Sequence, residues 1–118
     1  VMGHHIIVSG QLPLRDGQVT LKGHLGKDVE IDQAQEAARL CAVNLLAQVK
    51  AACGGDWNRL KRCVRLGIFV SSAPEFVEHP KVANGASDLM VAILGDAGRH
   101  ARSTIGVAAL PLGAAVEV

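Results

Sequence analysis

The chain has 118 residues, a length that fits one compact domain and excludes a second, substrate-binding domain within it. A net charge of +1 and an aromatic content of 3% argue against nucleic acid as a partner, because no excess of positive charge covers the surface and few aromatic side chains are available to stack on bases. Any such role would need a local basic patch. No apolar run reaches the roughly 18 residues that span a bilayer. Three unpaired cysteines, Cys41, Cys53 and Cys63, are typical of reduced core thiols, so we expect a cytoplasmic protein with no membrane partner.

The first predicted elements form a hairpin. Residues His4–Ser9 alternate in polarity and predict a strand that turns at Gly10. The pair Asp16-Gly17 has the chemistry of a tight turn, and a second strand is predicted over Val19–Leu21. A Gly-punctuated loop then leads away from the hairpin.

Two amphipathic helices follow from apolar residues at helical spacing. The first begins with a capping-box pattern at Asp32 and Gln35 and ends at Gly54. The second has Pro80 in its first turn and ends at Gly95. Both have one apolar face, so each is expected to pack on a sheet.

Three further strands have a period of two: Arg59–Val70, Arg102–Ala109 and Ala114–Val118. The first of them has one thoroughly apolar face and is predicted to be the central strand. The resulting order, β-β-α-β-α-β-β, predicts an α+β fold in which both helices cover one face of a mixed sheet.

The other sheet face would be left bare. Its predicted residues are Gly67, Phe69, Thr104, Gly106 and Ala108. With so little charge on that face and a mean hydropathy of +0.27, we expect another subunit to cover it. Clefts between subunits are then where polar residues could meet a ligand.

Metal and cofactor chemistry has little support. The five histidines lie on different predicted elements, no Cys-x-x-Cys occurs and no glycine run has phosphate-loop spacing. We therefore predict no metal and no cofactor. The one basic cluster, Arg59–Arg65, is expected to be a solvated edge or to form salt bridges to acids such as Glu30.

Arg102 and Glu117 are the strongest candidates for chemistry. Arg102 opens an apolar strand, where a buried guanidinium needs an anion against it. Glu117 projects from the last strand among Ala and Val. On the pattern alone they are a salt bridge at an interface or a catalytic pair, and the salt bridge is favoured.

Short motifs along the whole chain point to one family. The sequence reads Val8-Ser9-Gly10-Gln11-Leu12-Pro13 near its start, and has Asn84 within Val82–Asp88. Its last part reads Ala101-Arg102-Ser103-Thr104, then Leu110-Pro111 and Ala115-Val116-Glu117-Val118. In this order the motifs resemble those of the Rid family, the YjgF-like reactive intermediate deaminases, historically labelled endoribonuclease L-PSP.

The resemblance implies a chorismate-mutase-like fold and a homotrimer with three clefts between subunits. It also implies hydrolysis of enamines and imines such as 2-aminoacrylate to 2-oxo acids and ammonia. By the same resemblance Arg102 binds the carboxylate of a small imino or 2-oxo acid and Glu117 positions water. Ser9 and Asn84 line the cleft, and Ser9 and Thr104 supply hydroxyl hydrogen bonds.

Two departures from the family pattern bear on substrate choice. Thr104 replaces a cysteine of the best-known members, and their N-terminal tyrosine has no counterpart. Residues 1–118 are expected to form a single domain whose native termini extend further in both directions. Two other functions stay open: a trimer that binds small carboxylates without turnover, and, less favoured, an endoribonuclease that uses Arg59–Arg65.

Overall fold

The computed structural model describes residues 1–118, and its elements follow the predicted order β-β-α-β-α-β-β. They are β1 (Leu14–Arg15), β2 (Gln18–Val19), α1 (Ile31–Ala52), β3 (Arg65–Ser71), α2 (His79–Leu94), β4 (Ala101–Val107) and β5 (Val116–Glu117). Three short 3-10 turns, Trp57–Arg59, Gly95–Gly98 and Pro111–Gly113, lie between them. Neither helix has the length and apolar character needed to cross a membrane.

The hairpin lies further along the chain than predicted. β1 and β2 pair antiparallel around Asp16 and Gly17, whose φ angles of 52° and 75° confirm the predicted turn. The predicted strand His4–Ser9 is wrong, because this segment joins no ladder. Alternating polarity is compatible with a strand, but a strand forms only where a neighbouring backbone is available for hydrogen bonding.

The main sheet has the order β4-β3-β5, in which β3 is parallel to β4 and antiparallel to β5. The prediction of a central strand with helices on one face is confirmed. Leu66, Ile68 and Val70 of β3 are buried in the core together with residues of both helices. Where the helices touch, the α-carbon of Gly85 lies against the backbone carbonyl of Gln35, which leaves no room for a larger residue.

The first helix begins slightly earlier than predicted, and its cap is Glu30 rather than Asp32. The backbone N–H of Glu30 donates to the side chain of Gln33 at 3.0 Å. Gln35, predicted to close the capping box, instead donates from Nε2 to the carbonyl of Lys81 at 2.8 Å. This bond ties α1 to the start of α2.

The register of the sheet corrects the predicted bare face. Phe69 lies opposite Ile105, whereas Ile68 lies opposite Thr104 and Val70 opposite Gly106. Thr104 and Gly106 therefore share the side of the sheet that the helices cover. The open face of the sheet consists of Arg65, Gly67, Phe69, Ser103, Ile105 and Glu117. It keeps an apolar centre, with Ile105 51% exposed.

Cys41 of α1 makes the stability of the fold sensitive to alkaline pH. Burial raises the pKa of its thiol from 9.0 to about 12, so the unfolded chain loses this proton first. The stabilisation is complete below the unfolded value and is lost as pH rises towards the folded one. Between about pH 8 and about pH 10.5, the free energy of unfolding of the native protein should fall by about 2 kcal/mol more than that of Cys41→Ala. Urea denaturation at both values measures this difference, and equal losses would contradict it.

Candidate functional site

A cluster of polar side chains lies between the edge strand β4 and helix α2. Arg102 of β4 reaches α2, where its Nη1 donates to Oδ1 of Asn84 at 2.9 Å and to Oγ of Ser87 at 3.1 Å. Asn84 and Ser87 are three residues apart on the helix and therefore share one face. The structure thus brings together Arg102 and Asn84, two of the predicted site residues.

Arg102 has no acidic partner within the chain. The two ion pairs of the molecule, Lys81–Glu78 and Arg99–Asp96, are exposed and do not involve it. Its hydrogen bonds use only Nη1, so the edge formed by Nε and Nη2 is unpaired. The anion that the sequence led us to expect against Arg102 is therefore not supplied by this chain, and the positive charge is left for another partner.

Thr104 lies two residues further along β4 and on the same face as Arg102. Its Oγ1 is buried and has no hydrogen-bond partner, the one side-chain atom of the chain in this condition. A buried hydroxyl without a partner costs free energy, so such an atom marks a place where a ligand can gain a bond. We refer to Asn84, Ser87, Arg102 and Thr104 as the arginine half-site.

Gly106 continues this row of residues on β4. A Cβ at position 106 would lie 2.5 Å from Nε2 of His79 and 2.7 Å from Oγ of Ser72. Only glycine lets the first residue of α2 approach the strand so closely. The His79 ring, which is 3.3 Å from the Ser72 hydroxyl, therefore lies beside this end of β4.

Glu117 belongs to a second group of residues on the other side of the sheet. Since it lies opposite Phe69 in the β3–β5 register, its side chain is on the open face. The carboxylate contacts the α-carbon of Gly10 so closely that an added Cβ would overlap it. Ser9 is the adjacent residue, and its carbonyl accepts a hydrogen bond from Gln11 at 3.0 Å. We refer to Ser9, Gly10 and Glu117 as the glutamate half-site.

The five predicted site residues are thus divided between the two faces of one sheet. Arg102 and Glu117 form no ion pair within the chain. The sheet itself stands between the arginine half-site and the glutamate half-site. Arg102 and Glu117 therefore face opposite sides of the sheet within one chain.

A cavity of about 850 Å³ adjoins the glutamate half-site. Apolar residues such as Phe69 and Ile105 line it together with Glu117 and the basic cluster, whereas Arg102 does not reach it. The basic cluster forms no salt bridge within the chain. Two of its side chains bond to neutral acceptors instead: Arg65 donates to Ser103 Oγ at 2.9 Å and Arg59 to the Cys53 carbonyl at 3.4 Å. Because no residue of the arginine half-site lines the cavity, the two are separate.

Ser87 of the arginine half-site and its neighbour His100 were not among the predicted site residues. His100 Nε2 lies 2.9 Å from Ser87 Oγ, and its Nδ1 lies 2.5 Å from the carbonyl of Gly98. The spacing of Ser87 from Asn84 and of His100 from Arg102 is the signal that could have indicated them. None of the histidines joins a group of three or more residues that could hold a metal ion.

The close contact at Gly10 gives a test of how the Glu117 carboxylate is held. We expect Gly10→Ala to cost about 1 kcal/mol of unfolding free energy, because the methyl group displaces the carboxylate. In a Glu117→Ala background the overlap is absent, so the same substitution should cost nothing further. Urea denaturation of the four proteins measures both costs, and an equal cost in the two backgrounds would mean that the contact is unimportant.

The chain resembles several known proteins over nearly its whole length. A family described as "YjgF/chorismate mutase-like, putative endoribonuclease" matches residues 1–118. Protein TCP17 of Trypanosoma cruzi is 50% identical over 117 residues, which are 98% of this chain and 72% of that protein.

Two crystal structures share its architecture. The protein Atu1372 of Agrobacterium tumefaciens, of unknown function, is 54% identical with a TM-score of 0.91, covering 93% of this chain and 69% of that one. A "putative endoribonuclease" of Shewanella oneidensis is 35% identical with a TM-score of 0.89, covering 99% and 83%. The α+β fold implied by the motifs is confirmed.

Proposed function

The chain belongs to the YjgF/chorismate mutase-like family, and from this premise we propose that it hydrolyses imines and enamines of the 2-aminoacrylate type to 2-oxo acids and ammonia. The observation that carries the proposal is the state of Arg102. Neutral acceptors hold its Nη1, and its Nε–Nη2 edge is unpaired. That edge offers two parallel N–H groups, the arrangement that binds a planar carboxylate with two hydrogen bonds.

We place the reaction in a cleft between copies of the chain. Because the two half-sites lie on opposite faces of the sheet, one copy supplies Arg102 and its neighbour supplies Glu117. The apolar centre of the open face, formed by Phe69 and Ile105, supports a homotrimer, since such a surface is stable when another copy covers it.

The chemistry needs few groups. Arg102 holds the carboxylate of the imino acid and so fixes the carbon of the C=N bond in the cleft. Glu117 orients a water molecule and accepts its proton as the oxygen bonds to that carbon. The C=N electron pair moves to the nitrogen, which takes up two protons, one returned by Glu117 and one from the new hydroxyl. The nitrogen leaves as ammonia, and the oxygen of that hydroxyl becomes the carbonyl oxygen of the 2-oxo acid. An enamine first becomes the imine by protonation at its terminal carbon.

The remaining site residues fit supporting roles. An imine is already electrophilic, so no activated nucleophile, metal or cofactor is required to start the reaction. In this proposal the unpaired hydroxyl of Thr104 bonds to the substrate beside Arg102. Asn84 holds the arginine and Ser9 supplies a second hydroxyl from the neighbouring copy.

The proposal is tested by generating 2-iminopropionate enzymatically and measuring the release of ammonia and pyruvate. We expect release well above the rate in buffer alone. Binding of pyruvate without faster release would identify a carboxylate-binding module instead. Cleavage of RNA that persists in an Arg102→Lys variant, with no effect on the imine, would favour the endoribonuclease function.

The proposed assembly gives a direct prediction. Light scattering at micromolar concentration should give a mass about three times the 12.3 kDa of one chain. An Ile105→Lys substitution on the open face should lower that mass, because a buried lysine would have no partner. A monomeric native protein would exclude a cleft between copies.

A further inference from the structure

His100 is linked to Arg102 by a chain of hydrogen bonds. It lies just before β4, two residues from the arginine. Its Nδ1 contacts the carbonyl of Gly98 at 2.5 Å, and its Nε2 contacts Ser87 Oγ at 2.9 Å. The same Ser87 oxygen receives Nη1 of Arg102 at 3.1 Å. These groups form one continuous relay from the turn before β4 to the guanidinium.

The partners fix the direction of the bonds at the two ends of the relay, and the tautomer of His100 sets the bond between them. A carbonyl can only accept, so the His100 hydrogen is on Nδ1 and points to Gly98. In the tautomer that carries its one hydrogen on Nδ1, Nε2 is an acceptor, and the Ser87 hydroxyl donates to it. Having given its hydrogen to His100, Ser87 presents a lone pair to Arg102. Without His100 the hydroxyl could rotate and offer its hydrogen to other acceptors.

The relay also determines which edge of Arg102 is free. Nη1 has two hydrogens, and both are used, one by Ser87 and one by Asn84. The guanidinium is planar, so fixing Nη1 at two points sets the orientation of the whole group. Nε and Nη2 are then the edge that can face a ligand.

We propose that His100 is a positioning residue which acts through Ser87 to turn the Nε–Nη2 edge of Arg102 towards the substrate carboxylate. This inference rests on the carboxylate-binding role of Arg102 in the proposed function. It adds that the hydrogen-bonding state of an imidazole that never touches the substrate controls the affinity for carboxylates. The nearby charged pair, Arg99 and Asp96, is exposed and paired with itself, and neither residue takes part in the relay.

The test uses two replacements of the ring. In His100→Gln an amide oxygen can take the place of Nε2 and accept from Ser87. His100→Asn is shorter and can reach the Gly98 carbonyl but not Ser87. Pyruvate is the probe, and its affinity is measured by NMR titration of each variant alone and in a Ser87→Ala background. Nitrogen NMR of the wild-type ring reports which ring nitrogen carries the hydrogen.

We expect the hydrogen on Nδ1 in the wild type and about tenfold weaker pyruvate binding in His100→Asn, with His100→Gln close to the wild type. In the Ser87→Ala background His100→Asn should have no further effect, because the relay is already broken. A hydrogen on Nε2, an undiminished effect of His100→Asn in that background, or a wild type that binds no pyruvate would each overturn the inference. If the variants change pyruvate binding as expected but the wild type does not accelerate imine hydrolysis, the deaminase proposal alone would be removed.

Discussion

Arg102→Lys is expected to lose about 2 kcal/mol or more of transition-state and ligand stabilisation, a loss of at least roughly thirtyfold in turnover of 2-iminopropionate and in affinity for pyruvate. Lysine keeps the charge but not the planar fork. A single ammonium also cannot contact Asn84 and Ser87 while presenting a second edge to a carboxylate. Steady-state kinetics and calorimetric titration with pyruvate measure the two losses.

Arg99→Lys is the matched control for this experiment. Arg99 lies three residues earlier, its side chain is 71% exposed, and it pairs only with Asp96. A surface pair of this kind contributes little, so the control should keep native kinetics. If Arg102→Lys behaves like the control, the arginine is a structural residue and the carboxylate binds elsewhere.

Glu117→Gln is expected to separate binding from catalysis. Glutamine has nearly the same size and can still form hydrogen bonds, but it cannot accept the proton of water. We therefore expect a variant that assembles and binds pyruvate like the native protein yet hydrolyses the imine roughly tenfold to a thousandfold more slowly. Turnover and binding must be measured on the same preparation.

The control here is Glu78→Gln, an exposed carboxylate that pairs with Lys81 on the surface. It should leave the rate unchanged. A Glu117→Gln variant as fast as the control would mean that Glu117 is not the water-activating base. If no imino acid is hydrolysed faster than in buffer by the native protein, the carboxylate-binding function replaces the deaminase.

The helices and the central strand could be predicted because burial imposes a period on the sequence. Leu66, Ile68 and Val70 alternate along β3, and all three are buried. The partner face of β4 could not be predicted in the same way. Alternation shows that Thr104 and Ile105 point to opposite sides, but only the register with β3 shows which of them lies beside Phe69.

The site was predictable to a similar degree. Motifs and the need to compensate a buried charge indicated Arg102 and Asn84, which the structure joins by a hydrogen bond. The contribution of Ser87 and His100 depends on how closely α2 approaches β4, and that distance is a tertiary property. The separation of Glu117 from Arg102 likewise follows from the pairing of β5 with β3 rather than from any local pattern.

The division of the site between the two faces of one sheet makes the proposed activity a collective property. In the proposed assembly a dissociated copy would have every required group but could not bring them to one substrate molecule, so the activity should fall on dilution. A copy that is defective in one half-site can still contribute its intact half-site to the cleft that it shares with a neighbour. Chains inactivated in different halves would therefore complement each other on mixing, whereas a copy defective in both would impair the clefts on both of its sides.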